Sequence, residues 1–230
     1  MDFIQGEVLN VAKPLNWTSF NLVNKIRWKL QKTLKIKNLK VGHAGTLDPL
    51  ATGVMIICTG KSTKKIESFQ YQTKEYIATL KLGETTPSFD MELEVDGTFP
   101  IDHITLEMLN ERIFQFKGEI WQVPPVYSAV KVDGKRAYDY ARDGQQVELK
   151  PKLLVIDEIE VLEFNLPILK IRVVCSKGTY IRALARDIGL ALQSGAHLIA
   201  LERIRIGSVK LEDCWELETL IQYIENQIPS

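Results

Sequence analysis

Strand-like and helix-like apolar periods follow one another along this chain without regular alternation, and that order decides which folds remain open. Lys74 to Leu82 puts Tyr76, Ala78, Leu80 and Leu82 on one side and Ile77, Thr79 and Lys81 on the other, the two-residue period of a half-buried strand ended by Gly83. Leu153 to Phe164 and Ile168 to Cys175 read as two further strands, with Asn165-Leu166-Pro167 as the turn between them. Val54 to Cys58 is a short apolar run that reads as a buried strand, preceded by a glycine-punctuated loop from Val41 to Gly53. The helical period marks four other places. Thr18 or Ser19 caps a helix to about Leu34, with Phe20, Val23, Ile26 and Leu30 on its apolar side. Leu106, Leu109, Ile113 and Phe116 stripe a second, Ile181, Leu184, Ile188 and Leu192 a third, and Leu217 to Ile224 a last. Arg136 to Arg142 is a short helix closed by Gly144. Strands do not alternate strictly with helices as βαβ units would, so the chain is predicted to be an α+β domain on a central mixed or antiparallel sheet flanked by helices and loops.

At 230 residues the chain has room for one large domain, or a domain with a small appendage. No apolar run approaches the roughly 18 residues of a membrane span, and the start carries Asp2 and Glu7 but no basic leader, so a cytoplasmic protein is expected. Cys58, Cys175 and Cys214 lie far apart, as do His43, His103 and His197, which disfavours a disulfide framework and a zinc site. Charge is the informative part of the composition. Net charge is zero, yet between Lys13 and Lys65 eleven lysines and arginines face one acid, Asp48. A patch of that kind is either a solvated face or a grip for a polyanion, whose binding weakens steeply with salt.

Two clusters could carry chemistry. In Gly42-His43-Ala44-Gly45-Thr46-Leu47-Asp48-Pro49-Leu50-Ala51-Thr52-Gly53 the glycines allow close approach of a backbone or ligand. Asp-Pro also begins turns, so on these residues alone Asp48 is either a turn residue or a carboxylate that neighbouring cations favour, the state a nucleophile needs. His43 is a hydrogen-bonded loop residue or a catalyst. Gly60-Lys61-Ser62 is not a phosphate loop, because Met55 stands where that motif places its first glycine, and no G-x-S-x-G occurs. The second cluster runs from Cys175 to Asp187, where a strand hands over to a helix. Arg186 reads as solvent-facing, whereas Tyr180 and Arg182 sit at the strand–helix edge where functional side chains collect.

Together with Lys13-Pro14-Leu15-Asn16-Trp17-Thr18-Ser19, the Tyr76 strand, Tyr127-Ser128-Ala129-Val130-Lys131 and Gly195-Ala196-His197-Leu198-Ile199-Ala200-Leu201, these clusters resemble the bacterial tRNA pseudouridine-55 synthase family, TruB. The resemblance runs from about residue 8 to 209 and implies the pseudouridine synthase fold. It divides the chain into a catalytic domain over 1–212 and a C-terminal helix and tail over 213–230, without a full RNA-binding PUA domain. The implied enzyme is an isomerase that flips out a T-loop uridine of tRNA, detaches the base from its ribose and rejoins it through C5.

By the same resemblance Asp48 is the nucleophile, Tyr180 the residue linked to proton removal from C5, and Arg182 the ion-pair partner of Asp48. Tyr76 stacks on the extruded base, His43 contacts the RNA where the base leaves, Asp90 contacts the base and Leu201 lines its pocket. Lys61 and Lys64, with Lys65, are the first candidates for phosphate contact among the basic residues of Lys13 to Lys65. No cofactor, metal, protein partner or membrane is implied, and a monomer is expected. The competing reading is a tRNA-binding or tRNA-folding protein whose isomerase site is secondary or inactive, for which Asp48 is dispensable. Three positions depart from the family pattern: Asn16 replaces a glycine, Thr86-Pro87-Ser88-Phe89-Asp90 replaces Thr-Asp-Thr-x-Asp, and Glu202 replaces an arginine. Asparagine tolerates left-handed backbone, so the turn at Asn16 is expected to persist.

Overall fold

A computed structural model describes residues 1–227; the end of the expected C-terminal tail, residues 228–230, lies outside the described residues. In chain order the principal elements are β1 (Val8–Lys13), α1 (Ser19–Thr33), β2 (Val41–His43), β3 (Ala51–Thr59), α2 (Ile66–Tyr71), β4 (Lys74–Leu82), α3 (Leu106–Phe114), β5 (Gly118–Gln122), α4 (Ala137–Arg142), β6 (Lys152–Asn165), β7 (Ile168–Cys175), α5 (Ile181–Ala191), β8 (Ala196–Ile206), β9 (Trp215–Glu216) and α6 (Leu217–Glu225). A tight 3₁₀ turn, Gly60–Lys65, joins β3 to α2.

The chain forms two compact units, one of Met1–Tyr76 with the segment from Leu201 onward, the other of Ile77–Ala200. In the first, the strands run in the order β9-β1-β3-β8. β1 is parallel to β9 and antiparallel to β3, and β3 is parallel to β8, so this sheet is mixed. Its core holds Ala44, Val54, Ile56, Cys58 and Ile206, all without solvent exposure. In the second, the order is β4-β7-β6-β5, and β6 runs antiparallel to both its neighbours. The α+β class expected from the irregular order of periods is the class observed.

Several elements form where their periods place them. The Thr18 hydroxyl accepts from Asn21 N–H at 3.0 Å and caps α1, and the Thr105 hydroxyl accepts from Met108 N–H to cap α3. Tyr76, Ala78, Leu80 and Leu82 are the buried side of β4. Four expectations need correction. Phe20 is 68% exposed, because the buried stripe of α1 is Ser19, Leu22, Val23, Ile26 and Leu30 and residue 20 projects past its edge. Leu106, in the first turn of α3, is likewise exposed while Leu109 and Ile113 are buried. The expected loop from Val41 to Gly53 is shorter, since Val41–His43 pairs antiparallel with Ile57–Thr59 and β3 already starts at Ala51. β1 and β8 were not expected as strands.

Candidate active site

Asp48 lies between β2 and β3 in a short loop that the rest of the first unit grips by its backbone. Gly53 of β3 stands opposite Lys13 of β1 on one side and Arg203 of β8 on the other. A side chain could not be placed there: a Cβ on Gly53, whose φ is +108°, would lie 2.2 Å from the Arg203 carbonyl oxygen. The three strands thus set two cations in a row beneath the loop.

Arg203, 1% exposed, donates from Nε to Val54 O at 2.8 Å, from Nη2 to Gly45 O at 3.1 Å and from Nη1 to Thr46 O at 3.5 Å. Lys13 Nζ donates to Trp17 O at 2.7 Å, Pro14 O at 2.9 Å and Pro49 O at 3.4 Å. Ser19 Oγ donates to Leu47 O at 2.9 Å and accepts from Leu47 N–H at 2.8 Å, and Asn16 N–H donates to Pro49 O at 2.9 Å. The residues on both sides of Asp48 are therefore fixed, and a carboxylate on such a segment is aimed by the backbone that carries it.

Lys13 corrects an expectation. It is 1% exposed and spends its ammonium on carbonyls, so it is no phosphate contact. Desolvation by burial lowers its pKa from 10.5 to about 8, with the Asp48 charge opposing that fall and the Arg203 charge adding to it. His43 is half-buried at the end of β2, and its Nδ1 is a buried atom with no hydrogen-bond partner among the described residues. Burial holds the imidazole below its usual pKa, outweighing the nearby Gly45 backbone, so His43 is neutral near pH 7. Leu201 pairs with Ala51 in the β3–β8 register, three residues beyond Asp48. Tyr76 is buried on β4. Lys61 and Lys64 are exposed on the 3₁₀ turn, and Lys61 Nζ donates to Gln5 Oε1 at 2.7 Å.

The other candidates belong to the second unit. Arg182, 5% exposed in the first turn of α5, lies with Nε 3.5 Å from Asp90 Oδ2 and donates to Ser88 O at 3.1 Å and Tyr127 O at 2.9 Å. It gathers three segments that are distant in sequence. Asp90, 4% exposed, also accepts from Glu92 N–H at 3.0 Å. Tyr180 precedes α5, and its backbone is bound on both groups by the Gln122 amide, which accepts from Tyr180 N–H at 2.9 Å and donates to Tyr180 O at 3.2 Å. Arg186, expected to face solvent, instead donates to Val123 O and lies 4.9 Å from the centre of the Phe89 ring.

The pattern of these residues has close parallels. Residues 31–181 match the TruB family pseudouridylate synthase N-terminal domain, and residues 182–228 match the tRNA pseudouridylate synthase B C-terminal domain. The protein called tRNA pseudouridine synthase B in Parabacteroides distasonis is 66% identical over 228 residues, covering 99% of this chain and 97% of that one. The chain belongs to the TruB family of pseudouridylate synthases.

The protein of the same name from Phocaeicola vulgatus is 66% identical over 99% of this chain and 97% of its own. Among solved structures, a Cbf5-Nop10-Gar1 complex includes a chain 30% identical to this one, with a TM-score of 0.70 over 96% of this chain; the match spans just over half, 55%, of that chain. Membership in the TruB family makes the protein a pseudouridine synthase, an isomerase.

Within that family pattern, two departures are absorbed by the backbone. Asn16 has φ +63° and makes the bond to Pro49, so the turn that a glycine commonly builds persists here. Phe89 has φ +62°, and the Thr86 hydroxyl donates to Asp90 O at 2.7 Å, so the altered segment still delivers Asp90 to Arg182. Sequence reasoning missed Arg203, Lys13 and Ser19 as supports of Asp48. Lys13 and Ser19 stand in the first motif, and a lysine ending an alternating run, Leu9, Val11, Lys13, was the available signal that it points inward. Among the described residues, no three His, Cys, Asp or Glu side chains are grouped to hold a metal ion, and no helix is long and apolar enough to cross a membrane.

Proposed function

We propose that this enzyme converts the T-loop uridine at tRNA position 55 to pseudouridine, with Asp48 as the nucleophile. In that reaction the N1–C1′ bond breaks, the uracil turns, a C5–C1′ bond forms, C5 loses its proton and N1 gains one, so no oxidant, reductant or co-reactant is required. The observation that carries the reading is the Asp48 loop, whose neighbours Gly45, Thr46, Leu47 and Pro49 are held by Arg203, Ser19, Lys13 and Asn16. A nucleophile must meet the sugar or base within bonding distance, and a rigid loop supplies that geometry in advance. The names of the relatives, tRNA pseudouridine synthase B, support tRNA as the substrate.

The remaining assignments follow the chemistry of each side chain. A base inside a folded loop cannot be attacked in place, so the uridine is extruded, and stacking on Tyr76 returns about 1 to 3 kcal/mol of the unstacking cost. Arg182 serves as the cationic partner of Asp48, and Tyr180 takes part in removing the C5 proton. His43 meets the RNA at the point of extrusion, Asp90 contacts the base, and Leu201 forms an apolar wall. Lys61 and Lys64 hold backbone phosphates. The test is Asp48→Asn, assayed on a T-arm stem-loop by carbodiimide-blocked primer extension with binding measured in parallel. Pseudouridine formation is expected to vanish while binding stays within about threefold; turnover at the parent rate would end the nucleophile assignment, and a parent that binds the stem-loop without modifying it would leave a binding or folding role.

A further inference from the structure

The outer face of α1 is not used by the site described above, and its composition is unusual for a solvated helix. Trp28 stands 54% exposed at its centre and Phe20, two turns earlier, is 68% exposed. Around them lie Asn24, Lys25, Gln31 and Lys32, and no residue of the helix is acidic. Lys32 Nζ is 5.1 Å and Lys29 Nζ 5.9 Å from the centre of the Trp28 ring. Beside this face runs a groove of about 700 Å³ lined by Arg27 and Gln31 of α1, Lys40, Gly42 of β2, and Thr63 and Ile66. Thr63 belongs to the turn that also bears exposed Lys61, Lys64 and Lys65.

Trp28 and Phe20 share one helix face, and an exposed apolar strip rimmed by polar groups is the kind of surface that marks a binding site. An anionic partner fits this face, because α1 sets Lys25, Lys29 and Lys32 beside the ring and carries no acid of its own, with Glu225 pairing Lys29 from α6. It must also offer flat apolar surface to an indole and hydrogen-bonding edges to Asn24 and Gln31. An unpaired nucleobase on its sugar–phosphate strand satisfies all three demands, and stacking of bases on aromatic side chains between basic residues is a general way of holding single-stranded nucleic acid.

We propose that the α1 face and its groove form a second RNA-binding surface, on which Trp28 stacks against an unpaired base of the tRNA outside the T-arm while Lys25, Lys32 and Lys40 hold the adjoining phosphates. This rests on the reading of tRNA as substrate. The T-arm stem-loop is the part that reaches Asp48, so the α1 surface is engaged only by the larger molecule. It adds affinity without touching the reacting atoms.

The experiment compares whole tRNA transcript with an isolated T-arm stem-loop, measuring Kd and single-turnover rate for the parent, Trp28→Leu, Trp28→Tyr and the double variant Lys25→Gln/Lys32→Gln. Trp28→Leu is expected to weaken whole-tRNA binding by at least about fivefold, Trp28→Tyr by less than twofold, and neither to alter stem-loop binding or the saturated rate. The double lysine variant should reduce the salt dependence of whole-tRNA binding by about 1 to 2 in log–log slope. Equal binding of whole tRNA by parent and Trp28→Leu, or equal losses on both RNAs, overturns the proposal. So does a dimer in sedimentation that Trp28→Leu dissociates, which would assign the face to a second copy of the chain. Failure of the substrate reading is distinct, since the parent itself would then leave both RNAs unmodified.

Discussion

Arg203→Lys separates a structural cation from one that positions the nucleophile. The guanidinium reaches three carbonyls, Val54 O, Gly45 O and Thr46 O, on the two strands of chain that lead into and out of the Asp48 loop. An ammonium on a shorter stem meets one of them. Charge-assisted hydrogen bonds contribute about 1.5 to 3 kcal/mol each, so losing one strong and one weak contact costs about 3 kcal/mol, while the retained charge gives no relief of desolvation. Against a typical total of about 5 to 15 kcal/mol the variant still folds, with Tm lower by about 6 to 12 °C. Its effect on chemistry should exceed its effect on binding, because a displacement of about 1 Å in a reacting group can cost about a hundredfold in rate. Urea unfolding, stem-loop Kd and single-turnover pseudouridine formation are measured together, with Arg205→Lys as the control two residues along β8, where the side chain pairs with Glu75 at 2.5 Å. The expected result is a rate at least about tenfold lower for Arg203→Lys with Kd within threefold, and a near-parental control. A variant that loses stability but turns over at the parent rate would show that Arg203 supports the sheet and not the nucleophile.

Other perturbations reach the same loop. Ser19→Ala removes both bonds to Leu47 and leaves a buried N–H and C=O without that partner, so unfolding free energy should drop by about 2 to 3 kcal/mol in urea titration. Gly53→Ala sets a methyl against the Arg203 carbonyl, and soluble yield or Tm should collapse, whereas Gly134→Ala, with nothing within 4 Å, should lose far less despite its positive φ. Lys13 gives a pH signature. Its folded pKa of about 8 lies below the ordinary 10.5, so the folded chain sheds this proton before the unfolded one, and the penalty for holding a buried cation, full below pH 8, is relieved as pH rises to 10.5. Relative to Lys13→Met, the parent should gain up to about 3 kcal/mol across that window, and a flat difference between pH 7.5 and 10 would contradict the buried, charged assignment.

The legible parts of this fold were those whose periods were clean. β4 alternates from Tyr76 to Leu82 and β7 from Ile168 to Val173, and α1 has both a capping threonine and an apolar stripe, so each was placed within a residue or two. β8 was hidden because its first half, Ala196, His197 and Leu198, is buried on successive residues and so has no alternation to read. β1 was hidden by its last inward position, Lys13, whose charge made an interior strand end look like a surface. The same cause governs the site. Asp48, Arg182 and the lysines stand out by charge or motif, whereas the carbonyl contacts of Arg203 depend on the β3–β8 register, which pairs residues about 150 positions apart and leaves no local trace.

That register also has a timetable. The first unit begins at Met1 but is completed only from Leu201 onward, so a growing polypeptide carries its Asp48 loop through most of translation before Arg203 leaves the ribosome. Until then Gly45, Thr46 and Val54 lack the guanidinium that anchors them, and the loop is held only through Leu47 and Pro49 by Ser19, Lys13 and Asn16. The aim of the loop is thus complete only when a segment about 150 residues downstream has folded back onto β3.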